Sequence, residues 1–327
     1  MPIISVIVPA FNAEKTIQET INSVINQTFS NFELIIINDG SQDSTLEILE
    51  SIKDPRIKIF SYPNAGAAVS RNRGFAKAVG EYIAFLDADD LWTPDKLEAQ
   101  LSALQATPEA AVAYSWSDCI DETSKFLRPG GHISINGNAY AKLLMVDILE
   151  NGSNPLIHRQ AFIEVGGFDE SLQAGQDWDL YLRLAAKYHF VTVPRSQILY
   201  RISANSMSAD VWRLETASLQ LISRAYSKAP SSLQKLKKYS LGNIYKYLTV
   251  KAIEGNPERK KGIAAIRFLG QTVKNDPLLL KHRIIWKVFL RALAIAVLPD
   301  RQAKVLLKNI QQLSGTSALL AYMKINT

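Results

Sequence analysis

Residues 82–90, YIAFLDADD, set a short apolar run directly before three aspartates, Asp87, Asp89 and Asp90. The four largely apolar residues Ile83–Leu86 read as a buried strand that ends in charge. A carboxylate inside a sheet costs several kcal/mol unless it is paired or metal-bound, so the aspartates are expected just past the strand end, on the rim of a pocket. Side chains two apart share one face of a strand, so Asp87 and Asp89 can address one target while the chain stays extended. Paired oxygen ligands suit a hard divalent cation such as Mg²⁺ or Mn²⁺, which keeps other positions for water and phosphate oxygens. The same pattern also reads as a polar turn capping the helix that begins near Thr93-Pro94, so the surrounding sequence has to decide.

Upstream, Ile3–Val8 is a β-branched run closed by Pro9, and Glu14–Gln27 places Ile17, Thr20, Ile21, Val24 and Ile25 at helical spacing. Phe32–Ile37 is a second strand, ended by Asn38-Asp39-Gly40; a helix follows, with Asp43, Ser44 or Thr45 as its cap. Arg56–Phe60 reads as a third strand, and a helix runs from Ala67 to Val79. Strands alternating with helices predict an α/β fold with a mostly parallel central sheet flanked by helices. Pro9, Asp39, Asn64 and Asp87 then all fall at or just past the C-terminal end of a strand, the edge where open parallel sheets bind ligands. No G-x-G-x-x-G follows the first strand, which disfavours an ordinary dinucleotide-binding domain. Arg71, on the helix leading to the aspartate-bearing strand, is the candidate for holding phosphates, since a guanidinium binds a diphosphate through two parallel hydrogen bonds. Arg73 points elsewhere on that helix, and both arginines also fit a solvated basic face.

SVIVPAFNAEKTIQETINSVINQTFSNFELIIINDGSQDST, then PNAGAAVSRNRG and YIAFLDADD, resemble the nucleotide-sugar-binding half of the family 2 glycosyltransferases over residues 3–92. The resemblance implies the nucleotide-diphospho-sugar transferase fold, a divalent metal (Mn²⁺ or Mg²⁺), and transfer with inversion from a nucleotide sugar, chiefly a UDP-sugar, to a hydroxyl acceptor in glycan, polysaccharide or glycolipid synthesis. By the same resemblance Pro9, Ala10, Phe11 and Asn12 line the nucleoside pocket and Asp39 hydrogen-bonds the base. Asn64 and Gly66 flank the nucleotide, Arg71 approaches the phosphates, Asp87 and Ala88 belong to the nucleotide site, and Asp89 with Asp87 holds the metal. Asp90 is assigned either there or to a helix cap.

Downstream, LWTPDKLEAQLSAL reads as a Pro-started helix and AVAYSW as a strand, while residues 121–137 read as an acceptor-side loop or edge hairpin in which His132 reads as a surface residue more often than as a ligand. The stretch GGFDESLQAGQDWDLYLRLA brings Asp177 to the front of a helix of about three turns, where backbone N–H groups favour an ionised carboxylate. In the family the second acidic residue of a Glu-Asp pair here is the general base, and Asp177 matches it; Gln176 replaces the first. On its own an aspartate at this position is more often a plain N-cap. On the acceptor side Gln176 can orient a hydroxyl, and Trp178 either stacks on a sugar or packs in place; Asp179 is structural. In ILYRISANSMSAD, Ser203 stands where the family has histidine, Ser206 and Ser208 are possible phosphate donors, and Arg201 reads as a salt-bridge partner. The replacements at Gln176 and Ser203 keep a second reading open, a catalytically weak nucleotide-sugar-binding module. A nucleotidyltransferase would carry a Gly-rich loop early in the chain, and none is present.

The 327 residues carry a net charge of +6, but unevenly: residues 1–210 hold 16 Lys+Arg against 26 Asp+Glu, and residues 211–327 hold 21 against 5. The expected organisation is a catalytic domain over 1–210, with 1–92 as its nucleotide-binding half and 93–210 as its acceptor-binding half, then a basic helical region over 211–327. Such a split argues for separate partners, the basic part facing an anionic surface. Residues 278–298 set Arg283, Lys287 and Arg291 on one stripe with Trp286, Phe289, Leu293 and Val297 largely away from it, the pattern of a membrane-surface helix or of a helix packed on its own domain with a solvated basic face. Nucleic acid is not expected, since no basic patch interleaved with aromatics is present. A lone cysteine, Cys119, and no basic leader before the first apolar run predict a cytoplasmic protein, peripheral at the inner face of the membrane through the basic helices.

Overall fold

The structure, a computed structural model, describes residues 1–203, 210–310 and 315–325. They form two compact units, one of Met1–Leu143 and Asp147–Ser203, the other of Leu144–Val146 and the described residues after Ser203.

In the first unit, β1 (Ile4–Ala10) and β2 (Phe32–Asn38) are buried along their whole lengths, as parallel strands covered on both faces must be. Between them α1 (Ile17–Ile25) turns Ile17, Thr20, Ile21 and Val24 inward. Then come α2 (Thr45–Ser51), β3 (Ile57–Ser61), α3 (Ala67–Lys77) and β4 (Tyr82–Phe85). These strands pair in parallel in the order β3-β2-β1-β4. Gly74 lets α3 lie close on the sheet, because a Cβ there would collide with the Ile7 side chain. The chain continues through β5 (Leu91–Trp92), α4 (Lys96–Ala106), β6 (Ala110–Ile120), β7 (Phe126–Pro129), α5 (Tyr140–Met145), β8 (Leu156–His158), α6 (Arg159–Glu164), α7 (Gln176–Ala185) and β9 (His189–Arg201).

The α/β architecture with a largely parallel sheet is present. Antiparallel pairing enters through short strands: β8 sits between β4 and β6, β5 pairs β9, and β7 forms the edge hairpin with β6, whereas the long β6 and β9 run parallel. Two sequence assignments change. Leu91-Trp92 is strand rather than helix start, paired with Leu199 and Ile198, and the helix begins at Lys96. The AVAYSW strand extends to Ile120, with irregular register against β9 around Ser115–Ser117.

The second unit is helical: α8 (Val211–Lys228), α9 (Lys237–Ile253), α10 (Arg259–Asn275), α11 (Arg283–Val297) and α12 (Asp300–Asn309). Asp210 caps α8, accepting from the N–H groups of Trp212 and Arg213 at 3.1 Å. On α9, Lys246 is buried yet satisfied by Asp276 at 3.0 Å and the Tyr322 carbonyl at 2.7 Å. α11 is apolar on two sides. Its buried side consists of Ile285, Val288, Ala292, Ile295 and Ala296, and Trp286, Leu293 and Val297 are exposed. Among the described residues no helix is long and apolar enough to cross a membrane.

Candidate functional site

The four parallel strands end at one rim, and the loops there are tied to each other. The Asp39 N–H donates to the Ala10 carbonyl at 2.8 Å, joining the ends of β1 and β2. The buried Asp39 carboxylate accepts from the N–H groups of Ala65 at 3.0 Å and Gly66 at 2.8 Å, and its backbone carbonyl accepts from the Asn64 amide at 3.0 Å. Arg73 lies 3.4 Å from the same carboxylate and stacks over Tyr62, so it belongs to this rim and does not face away from it. Gly66 caps α3 at a φ of 92°, a conformation that favours glycine. On the neighbouring loop Pro9 and Ala10 are buried, Phe11 is half exposed, and Asn12 takes a φ of 49° while its side-chain oxygen accepts from the Gln42 N–H at 2.8 Å.

Beyond β4 the three aspartates divide. Asp90 is fully buried, receiving the Ser153 hydroxyl at 2.5 Å and the Arg201 N–H at 2.9 Å. It is a structural anchor, and burial followed by the neighbouring Asp89 and Asp87 charges pushes its carboxyl well above the usual range. Asp87 pairs with the buried guanidinium of Arg71, which stacks at 5.3 Å over Phe168. Burial pulls the Arg71 pKa down, and the Asp87 and Asp177 carboxylates more than offset it. Asp89 is pushed up to about 6 by burial and then by the Asp87 charge. The Ala88 carbonyl between them accepts from Thr16 at 2.9 Å and Thr20 at 3.0 Å, which fixes the turn onto α1.

Among the described residues no group of three or more His, Cys, Asp or Glu side chains forms a metal-binding set. The donor chemistry nevertheless fits a divalent cation. Asp87 and Asp89 are two crowded carboxylates whose mutual repulsion a cation would relieve, and a two-oxygen set leaves coordination positions for phosphate and water.

Asp177 lies in the first turn of α7, behind Gly175 in the left-handed region at a φ of 71°. Its carboxylate accepts from the Trp178 N–H at 2.9 Å and stands within electrostatic reach of both Arg71 and Asp87. Burial raises its pKa, and Arg71 opposes the rise. The half-buried Asp147, whose carboxyl is pushed up by desolvation and by the Asp177 charge, and Tyr181 belong to the same electrostatic cluster. Gln176 donates to the Leu172 carbonyl at 2.8 Å, and the Trp178 indole donates to the Leu143 carbonyl at 2.8 Å. Asp179 is engaged by Arg183 at 2.8 Å. His132 stacks on Trp116 and lies 2.8 Å from Asp118. Ser206 and Ser208 lie outside the described residues.

Two contributors escape a reading of the sequence. The buried turn Asn151–Asn154 reaches the rim from far along the chain: Ser153 bridges the Asp87 N–H at 3.0 Å to Asp90, Tyr181 donates to the Asn151 carbonyl at 2.8 Å, and a Cβ on Gly152 would stand 3.2 Å from Arg71 and 3.6 Å from Asp87. The small polar residues before Pro155 signal a turn but not its destination. Arg201 is no simple salt-bridge partner. It is buried and donates to the Asp89 carbonyl at 2.6 Å, the Asp121 carbonyl at 3.1 Å, Ser124 at 2.9 Å and Glu19 at 2.9 Å.

A family model described as glycosyltransferase like family 2 matches residues 5–252. A putative teichuronic acid biosynthesis glycosyltransferase of Bacillus subtilis is 33% identical over 219 residues, covering 65% of this chain and 84% of the relative. The chain spans only 26–33% of the length of the first curated relatives it matches, uncharacterized glycosyltransferases of three Rickettsia species. Among solved structures, a mannosyltransferase of Pyrobaculum calidifontis in complex with GDP-Man and Mn²⁺ aligns with a TM-score of 0.59 at 17% identity, covering 99% of this chain and 88% of that one. S. aureus TarS 1–349 in complex with UDP-GlcNAc aligns with a TM-score of 0.55 at 17% identity, covering 98% and 88%. At these identities the likeness is one of fold.

Proposed function

The chain belongs to the glycosyltransferase family 2, and from that premise we propose that it moves a sugar from a nucleotide-sugar donor, a UDP-sugar, to a hydroxyl acceptor in polysaccharide synthesis, with inversion at the anomeric carbon. The observation that carries the reading is electrostatic. One carboxylate, Asp177, shares its surroundings with the Arg71–Asp87 pair beside the strand-end rim, so an acid–base group and an anion-binding group serve one cleft.

In this account Pro9, Ala10, Phe11, Asn12, Asp39, Asn64 and Gly66 hold the nucleoside. Asp39 has both carboxylate oxygens occupied by backbone N–H groups, so its first task is to shape the 64–66 loop against the base. Arg71 faces the diphosphate, its guanidinium kept charged by Asp87. Asp87 and Asp89 would hold Mn²⁺ or Mg²⁺, which when bound supplies positive charge to the departing diphosphate, an effect worth several kcal/mol at the transition state. Asp177 takes the acceptor proton as the hydroxyl attacks from the side opposite the leaving group. Its raised pKa makes it a stronger base than a solvated aspartate. Gln176 spends its amide N–H on the Leu172 carbonyl in the loop before α7, which leaves Asp177 as the carboxylate of that pair, and Trp178 braces the turn through its indole N–H. The relative named for teichuronic acid biosynthesis supports a polymer acceptor, and the neighbours bound to UDP-GlcNAc and GDP-Man support a nucleotide-sugar donor.

Thermal melting against a panel of nucleotide sugars, with and without Mn²⁺, tests the donor, because a ligand that binds only the folded state raises Tm by mass action. A UDP-sugar is expected to give the largest Mn²⁺-dependent shift and Asp89→Asn to remove it. A larger shift with a GDP-sugar would overturn the donor assignment. Tight binding with neither donor hydrolysis nor transfer would mark a binding module instead.

A further inference from the structure

Among the described residues of the helical unit, α11 carries an uncovered apolar face. α11 packs against α10 and buries Ile285, Val288, Ala292 and Ile295, and Gly262 of α10 permits the close approach, since a Cβ there would stand 2.6 Å from the Ala296 nitrogen. On the opposite side, Trp286, Leu290, Leu293 and Val297 are 55%, 53%, 38% and 65% exposed. At about 100° per residue these four fall within an arc of about 60°, a continuous apolar stripe along about three turns of helix. Leu278, Leu280 and, on α12, Val305 are exposed as well. Isolated apolar residues on a surface are ordinary, but an aligned row of this length marks a contact surface.

The charge around the stripe indicates the kind of contact. Residues 277–310 contain seven Lys and Arg, at 281, 283, 287, 291, 301, 304 and 308, against a single acidic residue, Asp300. Arg283, Lys287 and Arg291 recur every four residues and border the stripe along one side. Arg291 turns its guanidinium to the Ile253 carbonyl at 3.2 Å, while Arg283, Arg301 and Lys308 are exposed. Two copies of such a face would bring like charges together, which disfavours self-association. An apolar row beside a cationic border is complementary to a layer with anionic headgroups above hydrocarbon.

We propose that this face of α11, extended by α12, docks on an anionic lipid bilayer, with Trp286, Leu290, Leu293 and Val297 entering the boundary between headgroups and acyl chains and the neighbouring cations meeting lipid phosphates. The binding is peripheral and independent of the transfer reaction. It places the chain where an acceptor carried on a lipid would be presented.

Co-sedimentation of the full chain with vesicles of phosphatidylcholine alone, and of phosphatidylcholine mixed with phosphatidylglycerol, tests this. Binding is expected to the mixed vesicles and to fall steeply with salt. Leu290→Ser with Leu293→Ser should lower the partition about ten-fold or more without changing the melt, because both positions are solvent-facing. Arg283→Glu with Lys287→Glu should lower it at least about 20-fold, near five-fold for each cation removed and more for the reversed charge. Absence of binding to mixed vesicles, or equal binding by wild type and both double variants, would overturn the proposal. So would light scattering that shows a dimer abolished by the serine pair, which would assign the stripe to self-association.

Discussion

The two units dispose of charge and apolar surface in opposite ways. In the first, β1, β2 and β4 are buried throughout and the acidic groups gather where strands stop, each held by a named partner: Asp39 by backbone N–H groups, Asp87 by Arg71, Asp90 by Ser153 and Arg201. In the second, cations outnumber acids and an apolar row on α11 faces solvent. The difference teaches that neither net charge nor hydrophobicity of a segment reveals a site. What does is the mismatch between a group and its surroundings, crowded carboxylates in the first unit and unburied aliphatics in the second.

The largest effect expected from breaking this contrast is at Asp177. Asp177→Asn should lower kcat about 10³-fold, within the span ordinary for a positioned base. The pH dependence sharpens it. Because burial raises this carboxyl above its ordinary value of 3.8, the acid limb of kcat/KM should lie above that of a solvated aspartate and disappear in the variant's residual activity. The sign for stability is the reverse of the usual aspartate case. A raised folded-state pKa contributes stability below the unfolded value that is lost as pH rises through the folded value, so Asp177→Asn should melt higher than wild type near pH 7 while the two converge in acid.

Next in size is the turn behind the site. Gly152→Ala would press a methyl to 3.2 Å from Arg71, so KM for the donor should rise about ten-fold with little loss of stability, as measured by steady-state kinetics beside a melt. Arg201→Met, which leaves the Asp89 and Asp121 carbonyls without their donor, should cost about 2 kcal/mol in urea unfolding. The smallest effect is the one on the exposed face of α11, and it stands beside a larger one on the buried face. Val288→Ser should destabilise by about 2–4 kcal/mol, whereas Leu290→Ser should stay within about 0.5 kcal/mol, since only the first is buried.

How far the sequence carries can be traced residue by residue. Ile4–Ala10, Phe32–Asn38 and Tyr82–Phe85 are legible because full burial in a parallel sheet demands uninterrupted apolar residues, and the loops that follow carry the polar ones. β5 and β8, of two and three residues, are too short for any periodicity to register, and they exist through pairing with distant strands. The aspartate cluster is visible as a pattern, but the division of labour within it is not. That Asp90 is an anchor depends on Ser153 and Arg201, 63 and 111 residues away. Arg73 illustrates the limit of helical spacing: two residues from Arg71 it does leave that face, yet the adjacent strand end brings Asp39 to meet it. On α11 the amphipathic pattern is real but its sense is hidden. Both the buried and the exposed rows are apolar, and the packing of α10 and the other elements around α11 decides which is covered.

The central claim is that one cleft combines a cation-dependent nucleotide site with a separate proton acceptor. Calorimetric titration of UDP with Mn²⁺ into wild type, Asp89→Asn and Asp177→Asn tests it most directly. The account predicts that Asp89→Asn loses the Mn²⁺-dependent affinity while Asp177→Asn keeps it within about two-fold, a change too small for a lost donor contact. Equal loss in both variants, or full retention in both, would contradict it.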